Sequence, residues 1–320
     1  MVLWRETSAT GSVFHNHLVM NNLPLIVDIK RHSLEDGPGI RSVVFFKGCP
    51  LRCLFCQNPE AQDPGAEIAF TASECIHCGR CADACPQGAI DLELSGRIHR
   101  QMCIRCGTCV SVCPGKGLRL IGASYPVETL TELLLRDLPF YRHSGGGVTL
   151  SGGEPTLYPD YLEALLKQLK ARGVHLVLET SGYFDYTAFR QKILPYIDLI
   201  YYDIKVADPE LHREYIGRTN WRILDNLYLL LQEKGVEVQP RIPLIPGIIA
   251  TRENLSAIVD LLCEAGAENV SLLPYNPMGL EMAVCLGRPK PPLPEAFMSH
   301  DEEREVYDMF KTLIEERRKR

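Results

Sequence analysis

The chain has 320 residues, 46% hydrophobic and 23% charged, with 13 cysteines and a formal net charge of -6. Charges of both signs are interspersed, which excludes a broad basic surface for nucleic acid, and no stretch reaches the roughly twenty apolar residues of a membrane span. The first 25 residues carry Glu6, Asn16, Asn21 and Asn22 where a signal peptide needs an unbroken apolar run, so a secreted disulfide framework is excluded and a cytoplasmic protein of a reducing, anaerobic cell is expected.

Residues 1–25 read as an N-terminal extension. Apolar runs rich in β-branched residues predict strands over 25–29 and 43–46, in a first core segment, residues 26–70, that carries Cys49, Cys53 and Cys56. The turn-prone Gln62-Asp63-Pro64-Gly65 leads into a cysteine-dense insert, residues 71–120, with strand-like pieces at 89–92 and 118–121. The core resumes over residues 121–290. There, helical patterns at 129–138, 158–172, 186–193, 220–233 and 254–265 alternate with strand patterns at 148–150, 176–178, 199–202, 236–242 and 270–273. Such alternation marks an α/β fold, a parallel sheet wound with crossover helices. Residues 291–320 read as a linker and a packed helix, with Val306, Met309, Phe310 and Leu313 at helical spacing. Its closing run, Arg317-Arg318-Lys319-Arg320, suits the negative end of the helix dipole.

The insert holds two runs, Cys75-x2-Cys78-x2-Cys81-x3-Cys85-Pro86 and Cys103-x2-Cys106-x2-Cys109-x3-Cys113-Pro114. Each matches the bacterial two-cluster ferredoxin pattern, in which the fourth cysteine of a run ligates the other cluster. Cys75, Cys78, Cys81 and Cys113 are therefore assigned to one centre, and Cys103, Cys106, Cys109 and Cys85 to its partner. Cys-x2-Cys pairs also build zinc ribbons; four cysteines per run, each run ending Cys-Pro, favour iron and sulfur. Cys49, Cys53 and Cys56 form a Cys-x3-Cys-x2-Cys loop without a fourth member, and three thiolates on a cubane leave one iron open to a ligand. Cys263 and Cys285 read as buried, inert thiols.

Unusual residues collect where the strands end. Ser151-Gly152-Gly153-Glu154-Pro155, Glu179-Thr180-Ser181-Gly182, Asp203-Ile204-Lys205, Arg241 and Pro274-Tyr275-Asn276 each follow or close a strand pattern, and in barrel enzymes the carboxyl ends of parallel strands build the site. Each has a plainer reading, as a tight turn, a helix start or a surface ion pair. Five plain readings at five strand ends are together improbable.

The runs Asp36-Gly37-Pro38-Gly39-Ile40-Arg41, Phe45-Phe46-Lys47-Gly48-Cys49 through Cys56-Gln57-Asn58-Pro59-Glu60, and Gly145-Gly146-Gly147 through Glu154-Pro155 closely resemble the radical S-adenosylmethionine (SAM) activating enzymes of glycyl radical enzymes. The resemblance covers roughly residues 26–279. It implies a partial parallel (β/α) barrel of radical SAM type with an inserted two-cluster ferredoxin-like domain. It also implies three 4Fe-4S clusters and a chemistry: SAM bound at the open iron is reductively cleaved to methionine and a 5'-deoxyadenosyl radical, which takes hydrogen from a backbone glycine of a partner enzyme. The implied partners are a glycyl radical enzyme and a flavodoxin or ferredoxin as electron donor, the chain itself being a monomer.

By the same resemblance Phe55, Cys56 and Gln57 lie along the adenine, and Gly152, Gly153 and Glu154 meet the methionine amino end. Asp203, Ile204, Lys205 and Arg241 match family positions around the nucleoside and methionine. In the pyruvate formate-lyase activase an aspartate-threonine pair and the Asp-x-Lys aspartate hold a monovalent cation; here that pair is Glu179-Thr180, with a longer acidic side chain. The family histidine expected beside the adenosine is Asn276, which cannot carry a proton at neutral pH. The pyruvate formate-lyase activase lacks the insert, whereas several other activases resemble this chain in having it. Its expected use is electron relay, against a purely architectural role.

Two other functions fit parts of the pattern: a radical SAM enzyme acting on a different substrate, and an iron-sulfur electron-transfer protein that cleaves nothing. The long Gly-Pro-Gly-Ile-Arg segment and the doubled insert speak against the first, the incomplete cysteine set with Gly-Gly-Glu-Pro against the second.

Overall fold

The computed structural model describes residues 23–267 and 269–319, so most of the N-terminal extension, and Arg320, lie outside the described residues. Two strands, β1 (Leu25–Ser33) and β2 (Arg41–Phe46), form a hairpin. The chain leaves through β3 (Glu67–Phe70), makes two single-turn helices, α1 (Arg80–Asp83) and α2 (Thr108–Ser111), and returns through β4 (Leu118–Ile121) and β5 (Ala123–Ser124). After α3 (Val127–Leu135) and α4 (Leu138–Ser144) come β6 (Gly147–Gly152), α5 (Pro159–Lys170), β7 (His175–Thr180), α6 (Tyr186–Lys192) and β8 (Leu199–Asp203). Then follow α7 (Pro209–Ile216), α8 (Trp221–Leu231), β9 (Glu237–Pro243), α9 (Arg252–Ala265), β10 (Ser271–Leu273), α10 (Met278–Cys285) and α11 (His300–Arg318).

One eight-stranded sheet runs in the order β10-β9-β8-β7-β6-β2-β1-β5. From β2 to β10 every pairing is parallel, giving the expected partial (β/α) barrel. β1 departs from that pattern: it is antiparallel to β2. The short stretch 34–40 between them cannot make a crossover, which needs a dozen or more residues. Val43, Val44, Val148, Leu150, Leu176, Val177, Leu178 and Ile200 are fully buried, as strands covered on both faces require. α5 seals one face with Leu162, Leu165, Leu166 and Leu169, a single stripe at helical spacing. Truncating any of these leucines to alanine would cost roughly 2–5 kcal/mol.

Arg41, fully buried, ties the amino ends of three strands together. Its guanidinium donates to Thr149 Oγ1 at 2.7 Å, Val148 O at 2.7 Å, Pro38 O at 2.9 Å and His175 O at 3.1 Å. Gly39 has φ +68°, and a Cβ there would lie 2.5 Å from the nitrogen of Gly146. The Gly-Pro-Gly and Gly-Gly-Gly runs therefore pack backbone on backbone, at the end of β2 opposite the cysteine loop.

The insert hangs on the β3–β4 ladder, so residues 67–70, grouped above with the first core segment, pair with 118–121. The strand-like piece at 89–92 amounts to a single bridge, Ile90 to Ile98. Ile68, Phe70, Ile90, Ile98, Cys109 and Leu118 form a small core of its own. At the other end of the chain, α11 begins with a Ser299–Glu302 capping box and packs Phe310 and Leu313 inward. Its Tyr307 hydroxyl donates to Leu272 O at 2.8 Å, which covers the edge of β10. No helix among the described residues is long and apolar enough to cross a membrane.

Candidate active site

The cysteine loop follows β2 and is held from several sides. Gly48 N donates to Ala61 O at 2.8 Å and Cys49 N to Gln62 O at 3.1 Å; Arg52 N and Leu54 N donate to Ile216 O and Tyr215 O at the end of α7, each at 2.8 Å. At α10, a Cβ on Gly279 would lie 2.1 Å from Cys56 O, so only glycine lets that helix meet the loop. Burial pushes the Cys49 thiol up to about 12 and raises Cys53 and Cys56 as well. The three thiols lie within electrostatic reach of one another and of Lys205. Coordination to a metal removes such protons outright.

The donor set suits a cluster better than a single ion. Among the described residues no three His, Cys, Asp or Glu side chains converge as one ion requires, whereas a cubane spreads its thiolates around a larger body. Cys75, Cys78, Cys81 and Cys113 line one cavity of the insert. Cys85, Cys103, Cys106 and Cys109 line another. The fourth cysteine of each run thus sits with the other run's first three, as the ferredoxin spacing predicts. Cys263 is a correction: it is exposed, because Leu262 takes the inward position on α9 and the next residue turns out. Cys285 is half-buried, not fully so.

Across the carboxyl ends of β6 to β9 runs a ladder of charge. Ser151 Oγ donates to Glu179 Oε2 at 2.5 Å, and Arg241 Nη1 donates to Glu179 Oε1 at 2.7 Å. Arg241 also holds Asp203 Oδ1 at 3.1 Å, and Lys205 Nζ donates to Asp203 Oδ2 at 3.2 Å. Burial alone would raise the Asp203 pKa, but Lys205 and Arg241 bring it below the usual carboxylate range. Burial would likewise lower Lys205; the carboxylate of Asp203 and the Cys53 thiol reverse the sign. Two residues that the sequence did not single out fix the backbone here. Asn254 Nδ2 donates to Lys205 O at 3.0 Å, and Asn220 Nδ2 to Val206 O at 3.0 Å and Ala207 O at 2.6 Å.

Several expected contacts take a different form. Glu154 is fully buried and faces inward: Thr156 Oγ1 donates to it at 2.7 Å, Thr180 Oγ1 at 2.8 Å, Ser181 N at 2.9 Å and Ser181 Oγ at 2.6 Å. It organises the end of β7 and is not open to a methionine ammonium. Gly152 and Gly153 are required by the chain itself, since Cβ atoms there would lie 2.5 Å from Phe46 N and 2.2 Å from Gly48 O. Phe55 and Ile204 are buried in the main core, so their rings and methyls anchor the backbone; Gln57 is exposed. Asn276 Oδ1 accepts from Met278 N at 2.9 Å and so starts α10. Glu179, Thr180 and Asp203 do not fit a monovalent cation: Arg241 and Lys205 already balance both carboxylates, and the Thr180 hydroxyl serves Glu154 and Gly182.

Compared with known proteins, the chain matches the radical SAM superfamily over residues 100–262 and a 4Fe-4S dicluster domain over residues 74–117. It is 40% identical over 274 residues to the benzylsuccinate synthase activating enzyme of Thauera aromatica, covering 83% of this chain and 82% of that protein. The chain belongs to the radical SAM activating enzymes of glycyl radical enzymes. As such it is an oxidoreductase. It is also 39% identical over 260 residues to the trans-4-hydroxy-L-proline dehydratase activating enzyme of Clostridioides difficile, covering 80% of this activating enzyme and 85% of that one. The crystal structure of Streptococcus suis SuiB bound to precursor peptide SuiA superposes with TM-score 0.50 at 14% identity, over 84% of this chain and 44% of that one; this likeness speaks for the fold alone. The radical SAM match begins after the loop of Cys49, Cys53 and Cys56.

Proposed function

We propose that this activating enzyme reductively cleaves SAM to methionine and a 5'-deoxyadenosyl radical, which takes a hydrogen atom from a backbone glycine of a partner glycyl radical enzyme. A 4Fe-4S cluster on Cys49, Cys53 and Cys56 would supply the electron and an uncapped iron for the SAM amino and carboxylate groups. The observation that carries this reading is the incomplete cysteine set beside a charge ladder drawn from three strand ends.

Each protein group has a definable task. Lys205, within electrostatic reach of Cys49 and Cys53, presents a cation toward the loop, and together with Arg241, which shares Asp203 with it, suits a carboxylate. Asp203 and Glu179 keep those cations oriented and suit an ammonium or a ribose hydroxyl. Gln57, on the exposed side of the loop, and Asn276, at the start of α10, would meet the nucleoside. The strands β6 to β8 beneath the mouth are mostly buried, a dry floor that suits radical chemistry. The insert's eight cysteines would hold two further 4Fe-4S clusters, making three, that receive electrons from a flavodoxin or ferredoxin. The reading includes a monomer in solution.

Identity is nearly flat, from 37% to 40%, across relatives named for a synthase, a decarboxylase, a dehydratase, a sulfite-lyase and a trimethylamine-lyase. The shared machinery, rather than recognition of one client, accounts for the likeness. The test is anaerobic incubation of the iron-loaded protein with SAM and dithionite. Methionine and 5'-deoxyadenosine should appear, and a glycine-centred doublet should grow in the electron paramagnetic resonance (EPR) spectrum once the partner is added. Cys53→Ala should abolish cleavage while keeping about two thirds of the iron. Loaded protein that forms no 5'-deoxyadenosine would refute the proposal.

A further inference from the structure

The two cysteine-lined cavities of the insert stand in different relations to the catalytic loop. The β3–β4 ladder runs from the pair Glu67 and Ile121 to the pair Phe70 and Leu118. Its Glu67 end is fastened to the core: Glu67 holds Lys47, two residues before Cys49, at 3.0 Å and Arg288 at 2.7 Å. Ile68 and Phe70 share a face of β3, about 7 Å apart along the strand. Ile68, nearer the core, lines the cavity of Cys85, Cys103, Cys106 and Cys109. Phe70, two residues farther from Glu67, lines the cavity of Cys75, Cys78, Cys81 and Cys113.

An open cleft between insert and core gives the same order independently. Cys103 and Ile68 line both the second cavity and this cleft, whose other wall is Leu286, Gly287 and Arg288, just beyond α10. α10 is the helix whose Gly279 abuts Cys56. No residue of the first cavity lines the cleft. Arg105, beside Cys106, pairs with Asp63 at 3.3 Å, and the neighbouring Gln62 carbonyl accepts from Cys49 N. Exposure does not choose between the sets. Each has one exposed cysteine, Cys78 or Cys106, beside an isoleucine that is 63% or 61% exposed, Ile76 or Ile104.

We propose that the insert conducts in one direction: the Cys75, Cys78, Cys81 and Cys113 set faces the electron donor, and the Cys85, Cys103, Cys106 and Cys109 set faces the loop of Cys49, Cys53 and Cys56. The donor is a low-potential one-electron carrier protein of the flavodoxin type. It would be oxidised by one electron as a centre held by the outer set is reduced; the electron would pass to a centre held by the inner set and on to the catalytic loop, with no bond or proton changing hands. The inference rests on the reading above that the chain cleaves SAM with electrons relayed through the insert.

The test follows reduction in the fully loaded protein by freeze-quench EPR, with chemically reduced flavodoxin as the probe. In Cys78→Ala, flavodoxin-driven reduction of the inner centre should be lost. In Cys106→Ala the outer centre should still fill at the parent rate, with nothing passed on to the catalytic loop. An inner centre that fills unimpaired in Cys78→Ala would overturn the assigned direction. Delivery to the catalytic loop at the parent rate in both variants would overturn the relay itself. If dithionite yields no 5'-deoxyadenosine from the parent protein, the functional reading fails separately. Should a variant lose iron from the whole insert, pulsed dipolar EPR on the reduced parent decides. The catalytic signal should couple more strongly to the inner centre; equal or reversed coupling would sink the proposal.

Discussion

Arg241 on β9 reaches over the Tyr201 ring of β8, 4.6 Å from its centroid, to hold Glu179 on β7 at 2.7 Å. The bridge joins strands that are not neighbours and leaves Lys205 as the second cation of the ladder. Arg241→Gln would leave two half-buried carboxylates with one cation between them, at a cost of about 3 kcal/mol. SAM retention should weaken with it. Arg241→Lys keeps the charge but not the planar fork and should recover only part of both. Urea unfolding and equilibrium dialysis read the two effects, and an Arg241→Gln variant as stable as the parent would remove the ladder from the account.

Glu154 offers a cleaner separation of scaffold from ligand contact. Its carboxylate accepts only, from two threonine hydroxyls and from Ser181, so Glu154→Gln turns an amide NH2 toward donors. Thermal stability should fall by the equivalent of about 1–3 kcal/mol. A weakened SAM affinity with an unchanged melting temperature would instead mean that Glu154 touches the cofactor.

Acid sensitivity should centre on Asp137, which is 1% exposed and joins β1, β2 and α4. It accepts from Arg31 Nε at 2.7 Å and Ser42 Oγ at 2.7 Å. Burial would raise its pKa, yet the bonds from Arg31 and Ser42 hold it below the ordinary 3.8. The folded carboxyl is thus the stronger acid. Its stabilisation is complete above about pH 4 and is lost as pH falls through the lower folded value. Asp137→Asn should flatten the acid limb of a melting-temperature profile; an unchanged limb would assign acid unfolding to other groups.

Gly279→Ala tests the seat of the cysteine loop. The added methyl would meet Cys56 O at 2.1 Å, and the loop or α10 must shift. Overpacking of this kind costs about 1–3 kcal/mol, and iron should be lost from the catalytic loop before the insert. Parent-like iron content and stability would show that the helix moves freely.

Much of this was legible from residue patterns. The strand ends that carry Glu179, Asp203 and Arg241 follow buried β-branched runs, and the crossed cysteine pairing follows from ferredoxin spacing. The antiparallel sense of β1 was less visible, because apolar alternation says nothing about direction. α7 escaped notice because only His212 and Ile216 are buried, too few to show a helical stripe. α10 was hidden by Gly279 in its first turn. Asn254, three residues past the Thr251 cap, had a faint local signal, whereas Asn220 marked only the start of a helix: its bonds to Val206 and Ala207 exist only once β8 and α8 are folded together.

β2 stays bonded to β6 in unbroken register, from Arg41 opposite Gly147 to Phe46 opposite Gly152. The insert departs and rejoins at a single doorway, where Glu67 faces Ile121 across one ladder step of about 5 Å. A segment attached that way can vary in content without breaking the register of β2 against β6. Kin with and without the extra centres can therefore share one catalytic chassis.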